Sequence, residues 1–66
     1  MMQEEREWFE GTDPRSFAEA ARIAVENAEL EFGRRGEDLP EEYDVQLRVL
    51  AHGPLSDYRV LVSPHG

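Results

Sequence analysis

The side chains of this sequence that could do chemistry are few and widely spaced. The chain has no cysteine and no lysine, and its two histidines, His52 and His65, lie beside glycines in a turn and in the C-terminal tail. A nucleophile needs a neighbouring base, and a metal ion needs several ligands at fixed spacing. Neither pattern is present, so we expect no metal site, and the protein is predicted not to be an enzyme.

Four side chains remain as candidates for binding a small molecule. Arg48 and Arg59 are expected on one face of a sheet, where they could form an anion pocket between subunits. Tyr43 and Trp8 carry rings that could stack on a flat ligand. A tryptophan on a short edge strand more often packs at the margin of a core or at a subunit contact, so both interpretations of Trp8 stay open.

The length limits how stable the chain can be by itself. Its 66 residues predict a single domain, residues 1–66, with a small core. The free energy gained by burying so little apolar surface is nearly cancelled by the conformational entropy lost on folding. Disulfides are excluded without cysteine, so association of several copies is the most economical source of further stability.

The charge restricts the class of partner. Fifteen acidic residues are set against seven arginines, for a formal net charge of −8. Phosphate backbones and anionic membrane surfaces repel such a chain, so neither nucleic acid nor a membrane is expected as a partner. No apolar run is long enough for a membrane span or the core of a signal peptide, and we predict a cytoplasmic protein.

One helix is predicted from Ser16 to Arg35. Its apolar residues recur at steps of three and four and form one alanine-rich stripe. They are Phe17, Ala20, Ala21, Ala24, Val25, Ala28 and Phe32. Ser16 and Glu19 have the spacing of a capping box, in which each side chain accepts a hydrogen bond from the other residue's backbone N–H. Gly36 suits the left-handed conformation that ends helices.

Two alternating runs after the helix predict an antiparallel hairpin. Residues 43–51 and 58–62 place apolar side chains at every second position, and a Gly-Pro turn is predicted between them at 52–57. A two-stranded sheet is marginal, so residues 6–10 are assigned as a third, edge strand. Residues 11–14, Gly-Thr-Asp-Pro, are predicted as a turn that leads into the helix.

The predicted fold is therefore α+β, in the order β-α-β-β, with a three-stranded antiparallel sheet packed on one helix. The odd-numbered residues from Tyr43 to Ala51 are expected to lie against this helix. The opposite face carries Gln46, Leu50 and Leu61 beside the two arginines. Large apolar side chains next to arginine are typical of a protein interface, so these three residues are predicted to form an oligomer contact.

Several short stretches of the chain carry a family resemblance. They are Gly11-Thr12 followed by Ser16-Phe17, the alanines at 20, 21, 24 and 28, Tyr43-Asp44-Val45, and Tyr58-Arg59-Val60-Leu61-Val62. Together they cover most of the sequence and resemble the dodecins, small β-α-β-β proteins that assemble into hollow dodecamers and mostly bind flavins. The resemblance implies a dodecin-like fold and a homo-oligomer, expected to be a dodecamer.

Two positions depart from the flavin site of that family. Its flavin-binding members have a tryptophan directly before the stretch that resembles Tyr43-Asp44-Val45, and this chain has Glu42 there. They have a glutamine after the tyrosine of the third strand, and this chain has Arg59. The resemblance therefore implies the fold without the usual flavin mode, and no cofactor is predicted.

The leading prediction is a non-enzymatic, dodecin-like homo-oligomer. If a ligand is involved, we expect storage or sequestration of a small molecule in the assembly. The alternative is a small acidic interaction module, of the inhibitor or immunity type, whose negative surface meets a basic protein. The acidic loop 37–42, otherwise predicted to be solvated surface, favours the module, whereas outward-facing Leu50 and Leu61 favour the assembly.

Overall fold

The computed structural model describes residues 6–52 and 55–65, without the side chains of His52, Leu55 and Ser56. The described elements, in chain order, are strand β1 (Phe9–Asp13), helix α1 (Phe17–Arg35), strand β2 (Tyr43–His52) and strand β3 (Leu55–Pro64). The strands form one antiparallel sheet in the order β1-β3-β2. The predicted α+β fold, with one helix packed on a three-stranded antiparallel sheet, is confirmed.

Helix α1 begins after Ser16, as predicted. The Ser16 hydroxyl accepts a hydrogen bond from the Glu19 N–H at 3.1 Å. The reciprocal bond of a capping box does not form, because the Ser16 N–H donates to Asp13 Oδ2 at 3.2 Å while the Glu19 carboxylate accepts from Arg22. Gly36 ends the helix in the left-handed conformation, with φ at 73°.

The core lies between α1 and the strands β1 and β3. Its buried apolar residues include the following members of the predicted helix stripe and of β3: Ala20, Ala24, Ala28, Phe32, Val60 and Val62. Phe9 meets Phe32 edge to face with ring centroids 5.3 Å apart, and Phe17 meets Tyr58 in the same way at 4.7 Å. The predicted buried face of the helix is therefore confirmed.

The helix and β1 make their closest contact at Gly11, which is buried. A Cβ atom at Gly11 would lie 2.2 Å from the Ala20 carbonyl oxygen and 2.4 Å from the Ala24 nitrogen. Both are backbone atoms, which cannot turn aside as a side chain can. Alanine on the helix and glycine on the strand together allow the two backbones to meet.

The predicted position of the first strand is wrong. The sequence placed the strand at residues 6–10 and a turn at 11–14, whereas β1 runs Phe9–Asp13. Glycine was interpreted as a turn residue because of its backbone freedom, but Gly11 is required here for its small size. The hairpin strands are also longer than predicted, since β3 begins at Leu55, and the predicted turn residues Gly53 and Pro54 lie outside the described residues.

Asp13 joins β1 to the helix. Its buried carboxylate accepts hydrogen bonds from the backbone N–H of Arg15 at 2.7 Å and of Ser16 at 3.2 Å, and it also pairs with the Arg15 guanidinium. The Arg15 side-chain hydrogen bond, followed by the backbone N–H groups, holds the pKa of Asp13 below its usual value.

No helix among the described residues is long and apolar enough to cross a membrane.

Gly11→Ala should lower the free energy of unfolding by roughly 1–3 kcal/mol or more, because the added methyl group collides with helix backbone. Gly33→Ala is the matched control, since a Cβ there meets nothing within 4 Å. In the helix interior it should raise the stability by about 0.5–1 kcal/mol. Urea denaturation followed by circular dichroism measures both. Equal effects of the two substitutions would show that Gly11 does not limit the approach of the helix.

Asp13→Asn should reduce the pH dependence of stability. Because the folded-state pKa of Asp13 lies below the unfolded value near 3.9, its carboxylate stabilises the fold above about pH 4. That contribution is lost as the pH falls through the folded-state pKa. The melting temperature of the variant should therefore lie below that of the wild type at pH 7 and approach it at pH 2–3. Asp38→Asn, in the exposed loop after the helix, makes the same change of charge and should leave the wild-type pH profile.

Candidate functional site

Strand β2 carries the most conspicuous surface of the molecule, a row of apolar side chains exposed to solvent. Val45, Leu47 and Val49 have exposed fractions of 51%, 58% and 53%. They lie opposite Val62, Val60 and Tyr58 of β3 in the strand register, so they project from the helix side of the sheet. We call these three residues the apolar ledge. They were predicted to lie against the helix, and their exposure shows that this prediction is wrong.

The ledge is uncovered because of the width of the helix and the strand order. A helix is about 10 Å across, whereas neighbouring strands lie about 4.8 Å apart, so one helix covers about two strands. The contact at Gly11 holds α1 over β1, and the strand next to β1 in the sheet is β3. Strand β2 is third in the sheet and lies beyond the helix.

Helix α1 also carries a large exposed apolar side chain. Leu30 is 73% exposed and, with Glu26 and Glu29, lines an open depression of about 390 Å³. One of the two glutamates at its rim, Glu26, accepts a hydrogen bond from Arg22 at 2.7 Å. The ledge and Leu30 are thus two apolar surfaces on this side, and no element among the described residues covers them.

Tyr43, a predicted ligand-binding residue, stands at the start of β2 and is half-buried. Its hydroxyl is buried and makes no hydrogen bond within the described residues. Burial, and then the charge of Glu29, raise the pKa of this phenol. Tyr43 also lines a second depression of about 400 Å³ with Glu42, Asp44 and His65. Its ring therefore packs at the margin of the core.

The predicted anion pocket was based on Arg48 and Arg59, which the structure does bring together. They lie directly opposite each other in the β2–β3 register, on the face of the sheet away from the helix, here called the outer face. Arg59 is ion-paired with Glu10, whose Oε2 lies 2.5 Å from the Arg59 Nε, but the geometry at this buried nitrogen is not that of a hydrogen bond. Arg48 is exposed, and among the residues that the structure describes its side chain donates a single long hydrogen bond, to Gln46 at 3.3 Å. Of this pair, Arg48 is the one available to a partner.

The residues of the predicted oligomer contact do not form one patch. Gln46 and Leu61 are opposite each other, whereas Leu50 lies opposite Asp57, four residues further along β2. At about 3.3 Å per residue the two leucines are about 13 Å apart, with Arg48 and Arg59 between them. Leu50 and Leu61 are both half-buried, so the outer face is less apolar than predicted.

Trp8, the other predicted stacking residue, is covered by a cation. The Arg6 guanidinium lies 4.9 Å from the centre of the indole ring. The same guanidinium donates to Asp44 Oδ2 at 2.8 Å and to the Pro64 carbonyl at 2.9 Å. Trp8 is half-buried in this arrangement, which favours its interpretation as a packing residue.

Asp44 is the centre of a small charged cluster near the ends of β2 and β3. It accepts hydrogen bonds from His65 and from Arg6, both at 2.8 Å. These two contacts, His65 first, hold the pKa of Asp44 below its usual value. Within the described part of the chain, no group of three or more His, Cys, Asp or Glu side chains is arranged to hold a metal ion.

Comparison with known proteins adds no family to this description. No family model, no curated protein and no solved structure matches the chain.

Sequence reasoning missed the ledge as a surface, although it identified its residues. The alternation in β2 shows which side chains share a face, but it does not show whether a helix reaches that face. The strand order would have shown that β2 is exposed. In a β-α-β-β chain whose β3 pairs with β1, β2 always lies at an edge of the sheet.

Proposed function

We propose that this protein is a non-enzymatic subunit of a homo-oligomer in which other copies cover the apolar ledge. The observation that carries the proposal is the exposure of Val45, Leu47 and Val49, each more than half open to water in a chain of 66 residues. Burial of apolar surface contributes about 25 cal/mol per Å², so covering the ledge would add stability that the small core lacks.

The distribution of charge supports this proposal. A net charge of −8 opposes association of identical chains, unless the contact surface is free of charge. The ledge contains no charged side chain. Copies can therefore meet through the ledge without burying an unpaired charge.

The ligand function we propose for the assembly is storage or sequestration of a small apolar molecule. The ledge and the depression beside Leu30 would give apolar walls to spaces between copies. The sequence resemblance to the dodecins points in the same direction, since members of that family hold their ligands within a hollow shell.

The purified protein should have the molar mass of a homo-oligomer in light scattering at micromolar concentration. Leu47→Asp should shift the mass towards that of the monomer, because the contact would then bury a carboxylate without a partner. Leu39→Asp is the matched control. Leu39 is also an exposed leucine, at 52%, but it lies in the loop outside the ledge, and its substitution should leave the mass unchanged.

A monomeric wild-type protein would contradict the proposal and favour an acidic interaction module instead. Leu50→Asp and Leu61→Asp test the outer face in the same experiment. If these two variants dissociate and Leu47→Asp does not, the copies meet through the outer face and not through the ledge.

Flavin should not bind in the manner of the dodecins. Glu42 is exposed at the position of the stacking tryptophan, and a carboxylate offers no ring. Arg59, at the glutamine position, can donate but not accept a hydrogen bond, and it is already paired with Glu10. Titration of FMN or riboflavin should leave the flavin fluorescence almost unchanged. Strong quenching that saturates at micromolar flavin would overturn this prediction, and Trp8→Phe would then test the remaining indole.

A further inference from the structure

The outer edge of β2 is an unpaired row of backbone hydrogen-bonding groups. The sheet order β1-β3-β2 places β1 and β2 at the two edges. At the β1 edge, the Asn27 side chain donates to the Glu10 carbonyl at 2.8 Å, so the helix covers part of that edge. In the part of the chain that the structure describes, β2 is bonded to β3 alone. An open edge of this kind is a template for another strand.

The backbone groups at this edge belong to the odd-numbered residues. The His65 N–H donates to the Glu42 carbonyl at 3.0 Å, in register with the β2–β3 ladder. Since hydrogen-bonded pairs alternate along an antiparallel ladder, the even-numbered residues of β2 are bonded to β3. Pro64, which has no N–H, fits this pattern because its partner is the odd-numbered Tyr43. Residues such as Val45 and Leu47 therefore direct their N–H and C=O groups outward.

We propose that β2 pairs antiparallel with β2 of a second copy, about a two-fold axis at Gln46, to form a continuous six-stranded sheet. This inference rests on the proposed homo-oligomer and specifies one of its contacts. In this register Val45 is bonded to Leu47 of the second copy, and Tyr43 to Val49. The ledges of the two copies become one apolar strip, with both helices on the same side of the sheet.

Charge complementarity within β2 (Tyr43–His52) favours this register. With the axis at Gln46, Asp44 of each copy lies opposite Arg48 of the other, in a non-hydrogen-bonded pair where side chains are closest. An axis at Leu47 would place Asp44 opposite Leu50, and an axis at Arg48 would place the two arginines opposite each other. Arg48 is exposed, and its one hydrogen bond to another described residue of its own chain is the long bond to Gln46.

Asp44 can accept this additional partner. It already holds Arg6 and His65, but a carboxylate has about four acceptor positions on its two oxygens. Arg48 also lies opposite Arg59 in its own sheet, and like charges in that position destabilise each other. A carboxylate from a second copy would relieve this repulsion.

Disulfide trapping tests the register, because the chain has no cysteine of its own. At the axis, the two copies of residue 46 have Cα atoms about 4.5 Å apart, within the range of a disulfide. Gln46→Cys should therefore give a two-chain band on a non-reducing gel after mild oxidation. Thr12→Cys is the control, because Thr12 is exposed in β1, at the far edge of the sheet and outside the proposed contact. The two β1 strands would be five strand spacings, about 24 Å, apart, so this variant should remain a single chain.

A pair of charge variants tests the complementarity. Arg48→Glu faces Asp44 of a second copy with a like charge and should weaken self-association about tenfold or more. Within its own chain the new glutamate faces Arg59, so the monomer should stay folded by circular dichroism. Asp44→Arg should also associate poorly with itself. Mixing the two variants restores both opposite-charge pairs and should restore the wild-type mass. Arg34→Glu, on the exposed side of the helix, makes the same charge change as Arg48→Glu and should not alter the mass.

The outcomes separate this proposal from the one on which it rests. If the wild type assembles but Gln46→Cys fails to cross-link, or cross-links no better than Thr12→Cys, the β2 pairing is wrong and the homo-oligomer stands. Failure of the mixed charge variants to associate, in an otherwise assembling protein, would also overturn the register. A wild-type monomer without cross-linking overturns both proposals.

Discussion

The architecture depends on the contact between the helix backbone and Gly11. With no side chain on the strand and only methyl groups on Ala20 and Ala24, the helix lies directly against β1. This contact holds the helix over β1 and β3, where it buries the alanine stripe against Val60 and Val62. It also determines what the helix leaves uncovered, because one helix cannot extend across three strands. The core and the ledge have the same cause.

The charged residues stabilise this arrangement less than their number suggests. Arg35 pairs with Glu7 and Glu31, and Arg22 bridges two glutamates of the helix, but all of these side chains are at least partly open to water. Exposed ion pairs contribute little to stability, and salt screens them. Their effect is to place charge on the helix surface while the ledge remains neutral. The apolar ledge is thus both uncharged and uncovered by the helix.

The periodic parts of the fold could be predicted from the sequence. Steps of three and four located the helix, and alternation located β2 and half of β3. The position of β1 was not predictable in this way, since Gly11 has the same signature in a turn as in a crowded strand. The site depended on strand order and register, which a pattern within one strand does not encode. The separation of Leu50 and Leu61 follows from the register of the β2–β3 hairpin. The ion pair of Arg59 with Glu10 follows from the pairing of β1 with β3, which are distant in sequence.

The strand order also shapes how the chain folds. The β1–α1 unit and the β2–β3 hairpin each consist of contacts between neighbouring parts of the chain. The sheet is completed only when Phe9 pairs with Val62, which joins segments near the two ends. Closing so long a loop carries an entropic cost before any contact offsets it, so we expect this step to slow folding. Until it occurs, the alanine stripe and the hairpin valines remain exposed, and the newly made chain depends on its surplus of negative charge to stay dispersed.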